Sequence, residues 1–188
     1  MTLDSLRTAC DEMAADFPSR EELRTFTGQF SFSPESGPSF SAQAPAPIGL
    51  RLRSADQKWA ARFRLDGITL SRLQPYTSWQ DLNRRARELW AKYSTVAMPL
   101  KIVRVASRFI NRIPLPPGES FEKTFTTTFS IAASLPQAVA GFLLRVVIPF
   151  ENEQSLAIVT QALPENSQEC TFDLDARRNL RERRLEQA

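Results

Sequence analysis

The chain has 188 residues, of which 42% are hydrophobic, and its 24 Lys+Arg against 21 Asp+Glu give a net charge of +3. This length predicts one domain, and 13 phenylalanines and 3 tryptophans supply a core, which excludes a chain that is disordered throughout. The absence of histidine excludes Ser–His–Asp and Cys–His triads and removes the commonest zinc ligand. Any chemistry would therefore depend on carboxylates, lysines, tyrosines or a hard metal ion.

The composition also bears on the compartment. Cys10 and Cys170 are the only cysteines, and the lack of a cysteine framework favours a reducing environment. The longest apolar run, 138–148, is interrupted by Arg145 and is too short to span a bilayer. The first residues carry no basic-then-apolar signal pattern. We expect a soluble, cytoplasmic protein that needs no cofactor and does not bind a membrane.

A helix and an extended segment begin the chain. Apolar residues at three- and four-residue spacing predict a helix over 3–17, which Pro18 ends. Phenylalanines among threonines and serines predict a strand over 22–32. The next segment, 33–47, is rich in Pro, Ser, Gly and Ala, so we expect a flexible loop there.

A three-stranded meander comes next. Apolar and basic residues alternate over 48–53 and again over 58–65. Asp66-Gly67 is a hairpin turn signal, and a third strand is predicted over 68–73.

An amphipathic helix is predicted over 77–93. Thr77 or Ser78 can cap it, with Gln80 or Asp81 three residues further on. Opposite charges at i,i+4 line its polar side, so we expect the apolar stripe to pack on a sheet. The stripe consists of Trp79, Leu82, Ala86, Leu89, Trp90 and Tyr93.

The second half predicts further antiparallel strands. They are expected at 100–113, 139–150, 156–163 and 169–174. Residues 121–131 fit either a strand or irregular structure, and 176–188 favours a charged helical tail. Together the elements predict an α+β fold, a single domain over 1–175. In it an antiparallel sheet of about six to eight strands packs against the N-terminal helix and the helix at 77–93.

Arginines on the predicted strands form the first candidate site. Side chains two apart on a strand point the same way, so Arg104, Arg108 and Arg112 share one face. If Arg62 and Arg64 lie on the same side of neighbouring strands, the sheet presents a basic surface that suits phosphate groups or nucleic acid. The alternative is a solvated face whose arginines pair with carboxylates or cover apolar surface with their stems.

Asp173 and Asp175 are the second candidate site, since their spacing places both carboxylates on one side of a strand. Such a pair can hold Mg²⁺. The alternatives, which we favour, are ion pairs with Arg177 and Arg178, or an N-cap by Asp175 for the last helix. We therefore expect no metal site.

Four aromatic residues lie just before or within the predicted central helix: Tyr76, Trp79, Trp90 and Tyr93. Base stacking or a ligand cage is one interpretation. Helical spacing favours core packing, which we expect.

Three motifs within residues 63–116 carry a family resemblance. Arg72–Trp79 reads RLQPYTSW, Leu89–Tyr93 reads LWAKY and Arg104–Pro116 reads RVASRFINRIPLP, with FDLD following at 172–175. They resemble the motifs of an uncharacterised, sporadically distributed family of bacterial and archaeal proteins. Besides Arg108 and Arg112, the motif positions are Arg72, Pro75, Tyr76, Trp79, Trp90, Tyr93 and Asn111.

The family has no activity to transfer, so the resemblance implies a type of genomic locus and not an activity. Its members usually begin with an extra apolar strand and continue through a longer helical end, so the resemblance implies a truncated member or one whose start is misassigned. Its patchy distribution implies a mobile or defence-associated locus, by association only.

We predict a non-enzymatic binding or accessory protein that acts through a protein partner or a homo-oligomer. The sequence has neither histidine nor a metal-ligand cluster nor a glycine-rich phosphate loop, and an exposed sheet edge is a ready site for pairing. Two alternatives stay open. One is nucleic-acid or nucleotide binding through the arginines, and the other is a Mg²⁺-dependent carboxylate enzyme.

Overall fold

The computed structural model describes residues 2–33, 37–42, 44–115, 121–165 and 167–180. The predicted fold class is confirmed, because helices pack against antiparallel sheets. The described strands form three sheets instead of one. Where the sequence predicted one domain, the residues group into two compact units, 1–99 and 100–188, which we call the N-terminal and C-terminal units.

The N-terminal unit contains a four-stranded sheet, a separate hairpin and two helices. Its elements are α1 (Leu3–Asp11), β1 (Ser19–Thr25), β2 (Gly28–Ser33), β3 (Gly37–Ala42), β4 (Ala46–Arg53), β5 (Trp59–Arg64), β6 (Gly67–Arg72) and α2 (Trp79–Ala97). The sheet has the antiparallel order β1-β4-β5-β6, and β2 pairs only with β3.

The core of this unit lies between one side of the sheet and the two helices. Leu50 of β4 lies opposite Phe63 of β5, and Leu52 lies opposite Ala61, so alternation turns all four to the same side. Both helices contribute side chains to the same cluster, in which Phe63 is fully buried. The buried members are Leu6, Cys10, Met13, Phe17, Leu50, Leu52, Trp59, Ala61, Phe63, Leu89 and Tyr93.

Gly49 permits the close approach of β4 to β5. A Cβ at this position would lie 2.1 Å from the carbonyl oxygen of Phe63. Because that atom belongs to the backbone of a paired strand, it has no room to move aside, and only glycine fits.

Of the two possible N-caps of α2, Thr77 and Ser78, the structure shows Ser78. The Oγ of Ser78 accepts a hydrogen bond of 3.1 Å from the backbone N–H of Asp81. Further along the helix, the hydroxyl of Tyr93 donates to the carbonyl oxygen of Arg64 at 3.1 Å, and burial raises the pKa of Tyr93. The helix is thus anchored at its cap and to the end of β5.

Two predictions in the first third of the chain are wrong in detail. The segment 22–32 is not one strand, because β1 ends at Thr25 and β2 begins at Gly28. The predicted loop over 33–47 contains β3 and the first residues of β4, although 34–36 and 43 lie outside the described residues. Serine alternates with Phe40 there, and this strand pattern is hidden by the Pro, Ser and Gly content.

The C-terminal unit contains a four-stranded antiparallel sheet of order β7-β10-β9-β8. Its elements are β7 (Arg104–Pro114), the single-turn helix α3 (Phe121–Thr124), β8 (Phe142–Phe150), a 3₁₀ turn (Glu151–Glu153), β9 (Ser155–Leu163) and β10 (Glu169–Asn179). The central strand β10 continues past residue 174, so the predicted helical tail is wrong over 176–179. Ala176 pairs with Ser107 and Ala157 on both sides, and this pairing outweighs helix propensity. Residues 181–188 lie outside the described part.

One side of this second sheet is covered by the segment that begins with α3. The rings of Phe125 and Phe172 stack at 6.0 Å, with Phe125 buried. The buried Gln161 donates from Nε2 to the carbonyl oxygen of Thr127 at 2.8 Å. The segment 121–131, open in the sequence analysis, is therefore a short helix and irregular chain that shields the sheet.

Both cysteines are buried and free, Cys10 in the N-terminal unit and Cys170 in the C-terminal unit. Burial raises the pKa of the Cys10 thiol to about 11. Within the described ranges, none of the helices has the length and apolar character needed to cross a membrane.

The cap of α2 gives a direct test of this fold. We expect Ser78→Ala to lower the free energy of unfolding by about 1 kcal/mol, because the Asp81 N–H loses its acceptor. Thr77→Ala is the matched control and is expected to leave stability unchanged. Urea denaturation followed by tryptophan fluorescence measures both, since all three tryptophans lie in residues 1–99. Equal losses in the two variants would contradict the assignment of the cap.

Candidate functional site: a charged sheet face

The side of the second sheet away from the segment that begins with α3 carries three of the predicted arginines, Arg104, Arg108 and Arg112, and both predicted aspartates. Asp173 on β10 lies between Ile110 of β7 and Thr160 of β9, and Asp175 lies between Arg108 and Ile158. Residues opposite one another share a side of the sheet, so register alone gathers these groups. We call the following set the charged face: Arg104, Arg108, Ile110, Arg112, Leu143, Arg145, Val147, Ile158, Thr160, Asp173, Asp175 and Arg177.

Two ion pairs occupy the centre of the charged face. Arg108 donates to both carboxylate oxygens of Asp173, from Nε to Oδ1 at 2.9 Å and from Nη2 to Oδ2 at 2.5 Å. Arg177 donates from Nε at 2.9 Å and Nη2 at 2.5 Å to Oδ2 of Asp175. The side chains of Asp173 and Asp175 are only 16% and 13% exposed, because β10 is flanked on both sides. The two-oxygen contact between Arg108 and Asp173 fixes the direction of the guanidinium as well as its position.

The two ion pairs shift the pKa of Asp175, Arg108 and Arg177 in the direction that favours the charged form. The hydrogen bond from Arg177 lowers the pKa of Asp175, against the opposing effect of desolvation. The hydrogen bond to Asp173 raises the pKa of Arg108, and the one to Asp175 raises the pKa of Arg177. Asp175 therefore stays charged at neutral pH as an acceptor for Arg177.

The surroundings of the two carboxylates suit ion pairing better than Mg²⁺. Three cations, Arg108, Arg145 and Arg177, line the same pocket as the two carboxylates. In the part of the chain that the structure describes, His, Cys, Asp and Glu form no group of three that could hold a metal ion. A divalent cation would have to displace the guanidiniums and bind beside further positive charge.

A shallow pocket of about 120 Å³ opens at the centre of the charged face. It is lined by Arg108, Arg145, Ile158, Thr160, Asp173, Asp175 and Arg177. Unlike Arg108 and Arg177, three arginines of the face form no ion pair within the described residues, namely Arg104, Arg112 and Arg145. The pocket thus has occupied carboxylates at its floor and guanidiniums available around it.

The structure does not bring all the predicted arginines together. Arg104, Arg108 and Arg112 share one face of β7, as the two-residue period predicted. Arg62 and Arg64 lie on β5, in the sheet of the N-terminal unit, on the side opposite its core. There Arg62 lies across from Arg51, while Arg64 pairs with Asp66 at 2.9 Å. The predicted set is therefore split between two sheets.

The motif residues are likewise split. Arg72 ends β6, Pro75 and Tyr76 lie in the connection to α2, and Trp79 begins that helix. Asn111 lies on β7, exposed, on the side opposite Arg108 and Arg112.

The aromatic group is only half in the core. Tyr93 is buried and Trp90 packs partly against the core, as expected. Tyr76 and Trp79 are 49% and 46% exposed, so their prediction as core is wrong. The buried positions of α2 are Leu89 and Tyr93, which shows that the stripe is covered only towards the C-terminal half of the helix.

A cationic contact that the sequence missed surrounds Trp59. The guanidinium carbons of Arg72 and Arg85 lie 4.9 Å and 4.6 Å from the centre of the indole ring. Nε of both arginines and Nη1 of Arg72 are buried without a hydrogen-bond partner among the described residues. The ring face stabilises both charges, and Nε of Arg85 also lies 3.9 Å from Oδ1 of Asp81. Arg85 is one of the charges at i,i+4 spacing on the polar side of the helix, four residues after Asp81, and that pattern predicts a solvated side chain. Its helical spacing gave no sign of the indole, because Trp59 comes from another element.

Comparisons with known proteins add no identity. Neither the protein-family models nor the curated proteins nor the solved structures include a match to this chain.

The pKa of Asp175 gives a pH test of the charged face. Because that pKa lies below the usual value, the pair with Arg177 stabilises the fold above about pH 4. The stabilisation is lost as the pH falls through the lowered pKa. We expect Asp175→Asn to unfold more easily than the parent at neutral pH, and the difference to shrink in acid. Urea denaturation followed by far-ultraviolet circular dichroism measures it.

The matched control for this test is Glu165→Gln, which makes the same carboxylate-to-amide change at an exposed residue of the C-terminal unit. Tryptophan fluorescence, which reports on the N-terminal unit, should not change in either variant. A difference between parent and Asp175→Asn that is independent of pH would contradict the role of this ion pair.

Proposed function

We propose that this chain is a non-enzymatic binding protein that engages a protein partner through the charged face of its C-terminal unit. The observation that carries the proposal is the mixture on that face. Exposed apolar side chains stand among arginines that have no ion pair within the described residues, around a shallow central pocket.

The apolar part of the face supports a protein partner. Ile110, Leu143 and Val147 are 61%, 73% and 54% exposed and lie on β7 and β8, on either side of the pocket. Protein interfaces combine such apolar contacts with arginine, which is enriched there while lysine is depleted. The charged face contains five arginines and no lysine.

The positive charge of the face indicates which side chains the partner would carry. Asp173 and Asp175 are already engaged, which leaves Arg104, Arg112 and Arg145 as donors without acceptors among the described residues. Aspartate or glutamate side chains beside an apolar residue would satisfy both kinds of group. We therefore propose an acidic and partly apolar segment as the partner's contact.

The same ion pairs support the absence of catalysis. Both oxygens of Asp173 accept from Arg108. The hydrogen bond from Arg177 lowers the pKa of Asp175, whereas a general base works best with a pKa near the operating pH. With no histidine in the sequence, the face lacks another common base. We propose that the protein works in the cytoplasm. Its two cysteines are buried and free, which suits a reducing compartment.

Nucleic-acid binding is the second candidate, and the three unpaired arginines favour it. Their planar forks suit phosphate oxygens. The apolar residues between them count against it, because a phosphate backbone offers no matching surface.

Two exposed leucines of the C-terminal unit test the protein partner. We expect Leu143→Lys to abolish capture of one particular protein from the native lysate, because it places a charge within the apolar contact. Leu135→Lys is the matched control, at a 57% exposed leucine outside the charged face. Quantitative mass spectrometry of the captured proteins measures both. A set of captured proteins identical for parent and both variants would contradict the proposal.

Salt dependence tests the nucleic-acid alternative. If phosphates are the ligand, replacing Arg104, Arg112 and Arg145 by alanine should reduce the slope of log affinity against log salt by about three. Fluorescence anisotropy with labelled single- and double-stranded oligonucleotides measures this. The control replaces Lys58, Arg87 and Lys92 of the N-terminal unit. Equal binding by both triple variants would remove the alternative.

A further inference from the structure

The hairpin β2–β3 presents an apolar face that the rest of its unit does not cover. Phe30 lies directly opposite Phe40, and Phe32 lies opposite Pro38, so all four project to the same side. The rings of Phe26, Phe30, Phe32 and Phe40 are between 62% and 71% exposed. Scattered exposed phenylalanines are ordinary, whereas a contiguous row marks a binding surface.

Gly28 joins Phe26 to this row. A Cβ on Gly28 would lie 2.7 Å from Cζ of Phe40 and 3.5 Å from Cε1 of Phe26. The missing side chain thus makes room for the ring of Phe40 over the backbone, with Phe26 beside it. We call Phe26, Phe30, Phe32, Pro38 and Phe40 the phenylalanine face.

The other side of the same two strands is polar. Ser31 and Ser39 lie opposite each other with their Oγ atoms 2.8 Å apart. The hairpin is therefore amphipathic. A two-stranded sheet of this kind is marginally stable unless its apolar side packs on something.

The near absence of charge around the hairpin indicates what kind of surface would pack on its apolar side. From Thr25 to Leu50 the sequence contains one ionisable residue, Glu35, and neither tryptophan nor tyrosine. A bilayer surface is normally held by lysine, arginine and interfacial tryptophan or tyrosine, and the hairpin offers none of them. A strongly charged protein partner would find no complementary charge either. An uncharged aromatic surface is the best complement, and this chain supplies one.

The exposed area of the phenylalanine face is large enough to bind a second copy of the chain. Four rings exposed by roughly two thirds, at about 200 Å² each, present on the order of 500 Å² per chain. Two copies would then bury about 1,000 Å², which is near the lower limit for a specific interface. Face-to-face packing around a two-fold axis brings the same surface together from both chains.

We propose that the hairpin β2–β3 is a self-association arm, whose phenylalanine face packs against the same face of a second copy of this chain. Each ring then contributes twice to the interface. The association is independent of the charged face, which lies in the other unit.

Sedimentation-velocity centrifugation over a range of concentrations tests the proposal with the full chain. The parent is expected to be a dimer at about 100 μM. The double variant Phe30→Ser, Phe40→Ser is expected to raise the dissociation constant at least about 100-fold, since four rings leave the dimer. Unchanged tryptophan fluorescence and circular dichroism will show that this exposed change leaves the fold intact.

The matched control is Ser31→Ala, Ser39→Ala, the cross-strand pair on the polar side of the same strands, which should dimerise like the parent. A parent that stays monomeric, or a phenylalanine variant that dimerises as tightly as the parent, would overturn the proposal. So would a monomeric parent that sediments with vesicles of phosphatidylcholine and phosphatidylserine, because the face would then belong to a bilayer.

Discussion

Burial of one side of β4 and β5 beneath two helices is the constraint on which the N-terminal unit depends. Phe63 lies at its centre, fully buried, and Gly49 lets the two strands approach closely enough to enclose it. Since side chains alternate along a strand, this choice sends Arg51, Arg62 and Arg64 to the opposite side. The basic surface of this sheet is thus a geometric consequence of its core and needs no ligand to explain it.

The C-terminal unit has the same two-sided design, with a different use of its polar side. Phenylalanines from the segment after α3 shield one side, and the side they leave open is built around two aspartates on the central strand. Each aspartate orders an arginine, so the charged face has a rigid centre and freer arginines around it. If the charged face binds the partner that we propose, its ordered centre loses little conformational freedom on contact.

Much of the local structure followed from the sequence. The stripe and cap signals located α2, and the two-residue period correctly grouped Arg104, Arg108 and Arg112, as well as Asp173 with Asp175. Pairing across long separations did not follow, because no local signal tells β7 to pair with β10 some 65 residues later. The same limit hid the contact of Arg85 with Trp59. The hairpin was missed for another reason, since serine, proline and glycine are typical of loops even where phenylalanine alternates with them.

The position of β7 at the edge of its sheet bears on how the chain avoids fibril formation. An edge strand of eleven residues offers a row of backbone groups onto which an identical strand could add, and long flat edges are hazards for amyloid growth. Arg104, Arg108 and Arg112 recur every fourth residue along that edge, so a copy stacked in register would bring like charges together at each step. Like charges at this spacing oppose such stacking, so a chain without these arginines is expected to aggregate more readily and to be recovered in lower yield.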